Sequence, residues 1–363
     1  LKITFPHMGN LSLALNSLFK SLGLQTISPP PITKKTMDIG TKYSPEFACL
    51  PLKINMGNYI EALELGADTI IMLGGQGPCR FGYYAQIQRR ILTELGYNFE
   101  MIIIESPEDN ARELASQLKK VGNYNSWKHV LTALYLTFNK LKVIDELDKK
   151  MNEVRPTTDK KDQLNKIYKD IQNEIFLTTS NKELNDIYKE MNFELNKLKN
   201  KEIDPIKIAI IGDIYIMTEH QVNMNIEKKL GELGAYVERT IFLSDWILNK
   251  VFLEKFGVNR NKPIYKESQP FLNNFVGGHG RESVGQAVLK AKHGFDGLVH
   301  MMPFTCTPEI VAQNILPHVS NTYDISLLTI IIDENTGEAG LVTRLEAFYD
   351  LLERKRESSK IIS

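Results

Sequence analysis

The chain has 363 residues, too many for one hydrophobic core and about right for two or three domains. Hydrophobic residues make up 42% and charged residues 24%, and 44 basic side chains balance 44 acidic ones. That balance argues against a dedicated nucleic-acid binder, whose footprint leaves a basic excess, and no apolar run reaches the roughly 20 residues of a membrane span.

Leu1 to Phe5 reads as a strand, so an initiator Met or a longer leader is expected upstream of this numbering. A helix is expected over Leu11 to Leu22, closed by Gly23, and a proline-rich loop at Pro29-Pro30-Pro31. Cys49-Leu50-Pro51 opens a helix that ends near Gly66, with proline in the one turn that tolerates it. The strand Thr69 to Leu73, a glycine-rich turn, a helix from Tyr83 to Leu95 and the strand Met101 to Ile104 follow. From Val121 to Pro205 glycine vanishes after Gly122, and apolar residues recur at helical spacing, as at Leu164, Ile167 and Ile171. This predicts about three amphipathic helices forming a solvated cap. The α/β pattern then returns with strands at Ile208 to Ile211, Gly297 to Met301 and Leu327 to Ile332. Helices are expected at Asn223 to Leu233, Val284 to Ala291, Ile310 to Leu316 and Thr343 to Arg354. The expected fold is α/β, with two Rossmann-like lobes of parallel sheet at 1–122 and 205–363 and a helical segment at 123–204 between them.

The lobes repeat each other. Gly66-Ala67-Asp68 and Gly294-Phe295-Asp296 each enter a strand, and Cys79 and Cys306 follow at almost the same distance. Each cysteine therefore falls between a strand's carboxyl end and the next helix, where open α/β sheets bind ligands and helix starts favour thiolates. Cys49 also opens a helix, and the matching stretch of the second lobe is Gly277-Gly278-His279-Gly280. Taken alone, a cysteine is most often a small buried hydrophobe, and these three show no local Cys-x-x-Cys spacing. Together at helix starts they suit a 4Fe-4S cluster with one open corner better than a structural zinc site. Three cysteines in the whole chain fit no disulfide framework. With no signal-peptide pattern at the N-terminus, a cytoplasmic location is expected.

The flanking residues carry a resemblance. Gly77 to Tyr84, Pro303 to Ile310, Asp333 to Gly340, Phe5 to Gly9 and Gly277 to Gly280 resemble signatures of the 2-hydroxyacyl-CoA dehydratase and benzoyl-CoA reductase subunit superfamily. The nearest branch is the CoA-protein-activase-related one, akin to double-cubane cluster proteins. The resemblance covers both lobes and fades in the charged middle. It implies Cys49, Cys79 and Cys306 as cluster ligands and low-potential electrons supplied by a separate ATP-hydrolysing iron–sulfur activator, in anaerobic metabolism. It implies either electron delivery to a small substrate or partner enzyme, or a catalytic role as an acyl-CoA dehydratase or reductase subunit. The double-cubane relatives use more cysteines than this chain has, so one cubane per chain is expected, a larger cluster needing further ligands. Asn335 stands where that branch commonly has histidine.

Arg80 would place a cation beside a cluster of net negative charge, which raises its potential, or else pair with an acid. His279 and Glu338 are candidates for proton transfer. No Walker A or Gly-x-Gly-x-x-Gly sequence is present, so ATP binding by this chain is not expected. A two-lobed binding or scaffold protein is the reading without redox chemistry, and a homodimer is compatible with all of these.

Overall fold

Strands covered on both faces by helices read as unbroken apolar runs, and in this chain such runs build two parallel sheets. The structure, a computed structural model, describes residues 1–75, 79–104, 116, 119–122, 126–254 and 257–362. Gly77 and Pro78 of the first cysteine motif lie outside them. In the first lobe β1 (Lys2–Thr4), β2 (Gln25–Thr26), β3 (Thr69–Leu73) and β4 (Glu100–Ile104) are ordered β2-β1-β3-β4. In the second, β5 (Ile206–Gly212), β6 (Ala235–Arg239), β7 (Gly297–Pro303) and β8 (Ser326–Ile332) are ordered β6-β5-β7-β8. Every strand pair is parallel, and the two connectivities are the same. The protein is therefore an α/β protein with two Rossmann-like lobes.

The repeat extends to single hydrogen bonds. In the first lobe the backbone N–H of Lys2 donates to Asp68 Oδ1 (2.8 Å), and Asp68 N–H donates to the Lys2 carbonyl (3.0 Å). In the second, Lys207 N–H donates to Asp296 Oδ2 (2.7 Å), and Asp296 N–H donates to the Lys207 carbonyl (2.9 Å). Each aspartate thus fixes the start of the lobe's first strand against the entry to its third.

In the first lobe, α1 (Asn10–Ser21), α2 (Lys34–Tyr43), α3 (Leu50–Glu64) and α4 (Tyr84–Glu94) pack around the sheet. Thr33 caps α2, a helix for which the sequence reading assigns no element, with a reciprocal bond to Thr36. The charged middle forms α5 (Trp127–Val154), α6 (Lys161–Leu177) and α7 (Asn181–Leu198). The second lobe adds α8 (Ile214–Thr218), α9 (Ile226–Leu233), α10 (Leu243–Ile247), α11 (Lys262–Ser268), α12 (Gly280–Lys292), α13 (Thr307–Tyr323) and α14 (Glu338–Ile362). Helix α13 runs past the expected end at Leu316, through Pro317, to Tyr323. Two compact units result, Leu1–Leu141 with Thr179–Asn181 and Lys142–Thr178 with Lys182–Ser363, so the division falls inside α5. No helix among the described residues is long and apolar enough to cross a membrane.

Within the second unit, α5 is fastened to the lobe by buried charge. Arg239, at the end of β6, donates to Asp148 Oδ2 (3.2 Å), Glu227 Oε2 (3.4 Å) and the Met217 carbonyl (3.2 Å). Tyr168 Oη donates to Asp148 Oδ1 (2.9 Å), Asn152 donates to Glu227 Oε1 (3.1 Å), and His220 lies 3.7 Å from Asp148. Burial works to raise the Asp148 carboxyl, but the hydrogen bond and charge of His220, with Arg239, hold it at about 2.

Asp145 goes the other way. It is 1% exposed and accepts from Ser244 N–H (2.8 Å), and burial lifts its carboxyl to about 6 despite the opposing pull of Arg239. A folded value above the unfolded one means a stability contribution fully present below about pH 4 and lost as pH rises through 6. The loss amounts to about 3 kcal/mol for a shift of about two units. Asp145→Asn should therefore flatten the fall in stability between about pH 4 and pH 7, as read from urea unfolding at both ends. An unchanged slope would place the pH dependence elsewhere.

Candidate functional site

In a sheet of order 2-1-3-4 the chain leaves its first strand in one direction for the second and in the other for the third. The crevice between first and third strands, at their carboxyl ends, is the place where such folds bind ligands. In the first lobe that position is flanked by the segments after β1, His7 to Gly9, and after β3, which carries Cys79. In the second it is flanked by Asp213 after β5 and by Phe304-Thr305-Cys306 after β7.

All three cysteines are helix N-caps in extended backbone. Cys49 (φ −69°, ψ 151°) caps α3, Cys79 (φ −70°, ψ 128°) caps the 3₁₀ turn Arg80–Tyr83 that leads into α4, and Cys306 (φ −73°, ψ 103°) caps α13. His279 is the N-cap of α12, the helix that enters β7 as α3 enters β3. The expected set of three cysteines and one histidine at corresponding helix starts is present. A cap leaves the first helical N–H groups without intrahelical acceptors and lends the position partial positive charge.

In the first unit the two cysteine segments touch. Arg80 Nη1 donates to the Phe47 carbonyl (2.6 Å), which ties the turn after Cys79 to the residues before Cys49. Tyr84 Oη, at the start of α4, closes on Cys49 Sγ. Cys49 is 9% exposed, Cys79 is half-buried, and Phe47 stands out at 77% exposure beside them. This contact to a backbone carbonyl is one that the sequence reading did not foresee for Arg80.

The second unit brings His279 and Cys306 segments together by a close backbone approach. A Cβ on Gly280 would stand 2.3 Å from the Pro308 carbonyl oxygen, so only glycine lets the α12 start lie against the α13 start. Thr305, immediately before Cys306, holds φ at 64°, a strained conformation for a β-branched residue. Gly212, at the end of β5, lies with φ 133° against the Met301 carbonyl, which accepts from Asp213 N–H (3.0 Å).

Below these loops lies an acid–base group that the sequence reading did not find. His300, fully buried in β7, donates from Nε2 to Glu309 Oε2 (2.8 Å), while its Nδ1 has no hydrogen-bond partner among the described residues. Ser283 Oγ donates to both oxygens of Glu309 (3.2 and 3.0 Å). Glu309 is in the first turn of α13, where an acid suits the helix dipole, but its full burial answers to His300 and Ser283. Asp213 Oδ1 accepts from Tyr215 and Ile216 N–H, and burial lifts its carboxyl to about 6, with His279 opposing and Glu309 adding to the rise. The legible signal was a histidine inside the apolar strand Gly297-Leu298-Val299-His300-Met301-Met302.

Glu338 begins α14 as an exposed residue paired with Lys229 Nζ (2.6 Å). The hydrogen bond and charge of Lys229 lower its carboxyl, which keeps it ionised and makes it a poor proton donor near neutrality. Among the described residues no three His, Cys, Asp or Glu side chains are gathered as a ready metal site. Compared with known proteins, the chain matches no family model and no curated protein.

Proposed function

We propose that the chain is an iron–sulfur redox protein in which Cys49, Cys79 and Cys306 supply thiolates to a 4Fe-4S cluster. One observation carries the reading: every cysteine of the chain is the N-cap residue of a helical segment, and two of them follow corresponding strands, β3 and β7. The donor chemistry fits, since thiolates are the usual ligands of such clusters and helix starts favour the thiolate form.

The cluster, when bound, supplies one-electron transfer at a potential set by its charge, its hydrogen bonds and its exposure. The chain's own residues hold the ligand loops. Arg80 fixes the Phe47 carbonyl, Tyr84 sets the Cys49 side chain, and Gly280 admits the helix start that supports Cys306. On this reading electrons arrive from an ATP-hydrolysing iron–sulfur activator and pass to a small substrate or a partner enzyme.

Protein purified without oxygen should contain about four iron and four acid-labile sulfide per chain and give an EPR signal on reduction. Alanine at Cys49, Cys79 or Cys306 should each abolish the iron while circular dichroism stays unchanged. Iron near eight would point to a double cubane with ligands beyond these three. A folded chain without iron and sulfide under these conditions would sink the proposal.

A further inference from the structure

The second unit contains a cavity of about 280 Å³ at the carboxyl ends of β5 and β6, a space for on the order of nine waters. Its wall is built from the end of β5, the loop after β6, α10 with the turn that follows it, the start of α11 and the start of α12. Every one of these beyond β5 brings a polar side chain, and Trp246 with Ile264 adds apolar surface.

The charges of this wall give the cavity no single sign. Arg260 is exposed; its backbone N–H is fixed by Asn249 Oδ1 (3.0 Å), and its guanidinium has no partner among the described residues. Asp245 also lines the cavity, and Lys149 holds it at 3.4 Å. Glu282 accepts from Tyr265 Oη (2.7 Å), and its other oxygen is buried out of the cavity's reach. Glu309 lies fully buried behind Ser283, which lines the cavity and donates to it. An anion seated against Arg260 would stand before buried acids, while a cation would find Asp245 occupied and Arg260 opposing it. The wall therefore suits an occupant without charge.

Hydrogen-bonding capacity is left over all the same. Gln286 offers an amide donor and acceptor, neutral His279 a ring donor and acceptor, and Trp246 an indole N–H. None of these three side chains has a hydrogen bond among the described residues. They come from separate places, Trp246 on α10 and the other two about two turns apart along α12. A flat heteroaromatic ring keeps its polar atoms in one plane. Hydroxyls on a saturated ring point outward all round it, and each both donates and accepts. We propose that this cavity binds an uncharged polyhydroxylated molecule of monosaccharide size. Its hydroxyls meet Arg260, His279 and Gln286, and its carbon skeleton lies against Trp246 and Ile264.

The chain has two tryptophans, and Trp127 belongs to the first unit, so Trp127→Phe leaves Trp246 as the fluorescent reporter of the cavity. Neutral pentoses and hexoses are titrated one at a time into this full-length variant at millimolar concentration, below the range in which excluded polyols stabilise proteins generally. At least one should change the Trp246 emission saturably and raise the unfolding midpoint, with calorimetry giving its affinity. Its carboxylic-acid and amino counterparts should each bind at least about tenfold more weakly, because each brings a charge that the wall does not match. Gln286→Ala and Arg260→Ala should each weaken binding about threefold or more, as loss of one hydrogen bond requires. Arg260 is exposed, so its variant carries the test should the Gln286 variant not fold. Saturable binding by no sugar, acid or amine binding equal to the parent sugar, or unaltered binding by Arg260→Ala overturns the assignment. None of these results bears on iron content, so this proposal and the cluster reading fail separately.

Discussion

Arg239→Ala should cost about 3–5 kcal/mol of unfolding free energy, a large part of the roughly 5–15 kcal/mol that holds a typical domain together. Arg239 is 2% exposed and lies between Asp148 and Glu227, themselves 5% and 7% exposed. Its guanidinium also sits over the Phe242 ring, 4.4 Å from the centroid. Removing it leaves two buried carboxylates without their guanidinium, although His220, Tyr168 and Asn152 still face them. Arg239→Lys should recover little, because an ammonium cannot reach both acids and the Met217 carbonyl with a planar fork. Neutralising all three, with Arg239→Met, Asp148→Asn and Glu227→Gln, should restore much of the loss, since the penalty comes from unpaired charge. Urea unfolding measures each variant. A loss below about 1 kcal/mol for the alanine variant would show that water or rearrangement already screens the network.

Gly212→Ala should be nearly as damaging. Its φ of 133° is one that residues with a Cβ rarely adopt, and that Cβ would stand 1.9 Å from the Met301 carbonyl oxygen. The carbonyl cannot retreat freely because it belongs to the β5–β7 pairing and accepts from Asp213 N–H. Backbone strain of about 1–3 kcal/mol adds to a similar overpacking cost. A melting temperature equal to the parent's would mean that the crevice yields easily.

The repeated lobe was legible because its marks are local. Asp68 and Asp296 announce their strands in three-residue phrases, and the cysteines stand next to prolines and glycines that punctuate helix starts. The strand Thr69–Leu73 is apolar after its first residue and was found to the residue. Elements with mixed character were not. Strand β6, Ala-Tyr-Val-Glu-Arg, buries alternate residues and ends in two charges, one of which is Arg239. Helix α2 has a threonine cap but few apolar residues to set a period. At the site, the helix-start positions of Cys49, Cys79, His279 and Cys306 could be read from sequence. The His300–Glu309–Ser283 group could not, because its meaning depends on which side chains of separate elements meet. Arg239 and Asp148 are 91 positions apart, and nothing local records that they meet.

That separation bears on how the chain is made. A ribosome adding about 5–20 residues per second needs on the order of 5–20 s to travel from Asp148 to Arg239. Throughout that interval the acids of α5 have been synthesised and their cation has not. The nascent helix must wait in water, its carboxylates hydrated, until β6 emerges. Closure of β5 on β7 comes later still, when Gly297–Pro303 has been added. The second lobe is thus an assembly completed from its far end, and slow codons between Val154 and Arg239 would lengthen the vulnerable period far more than slow codons after Pro303.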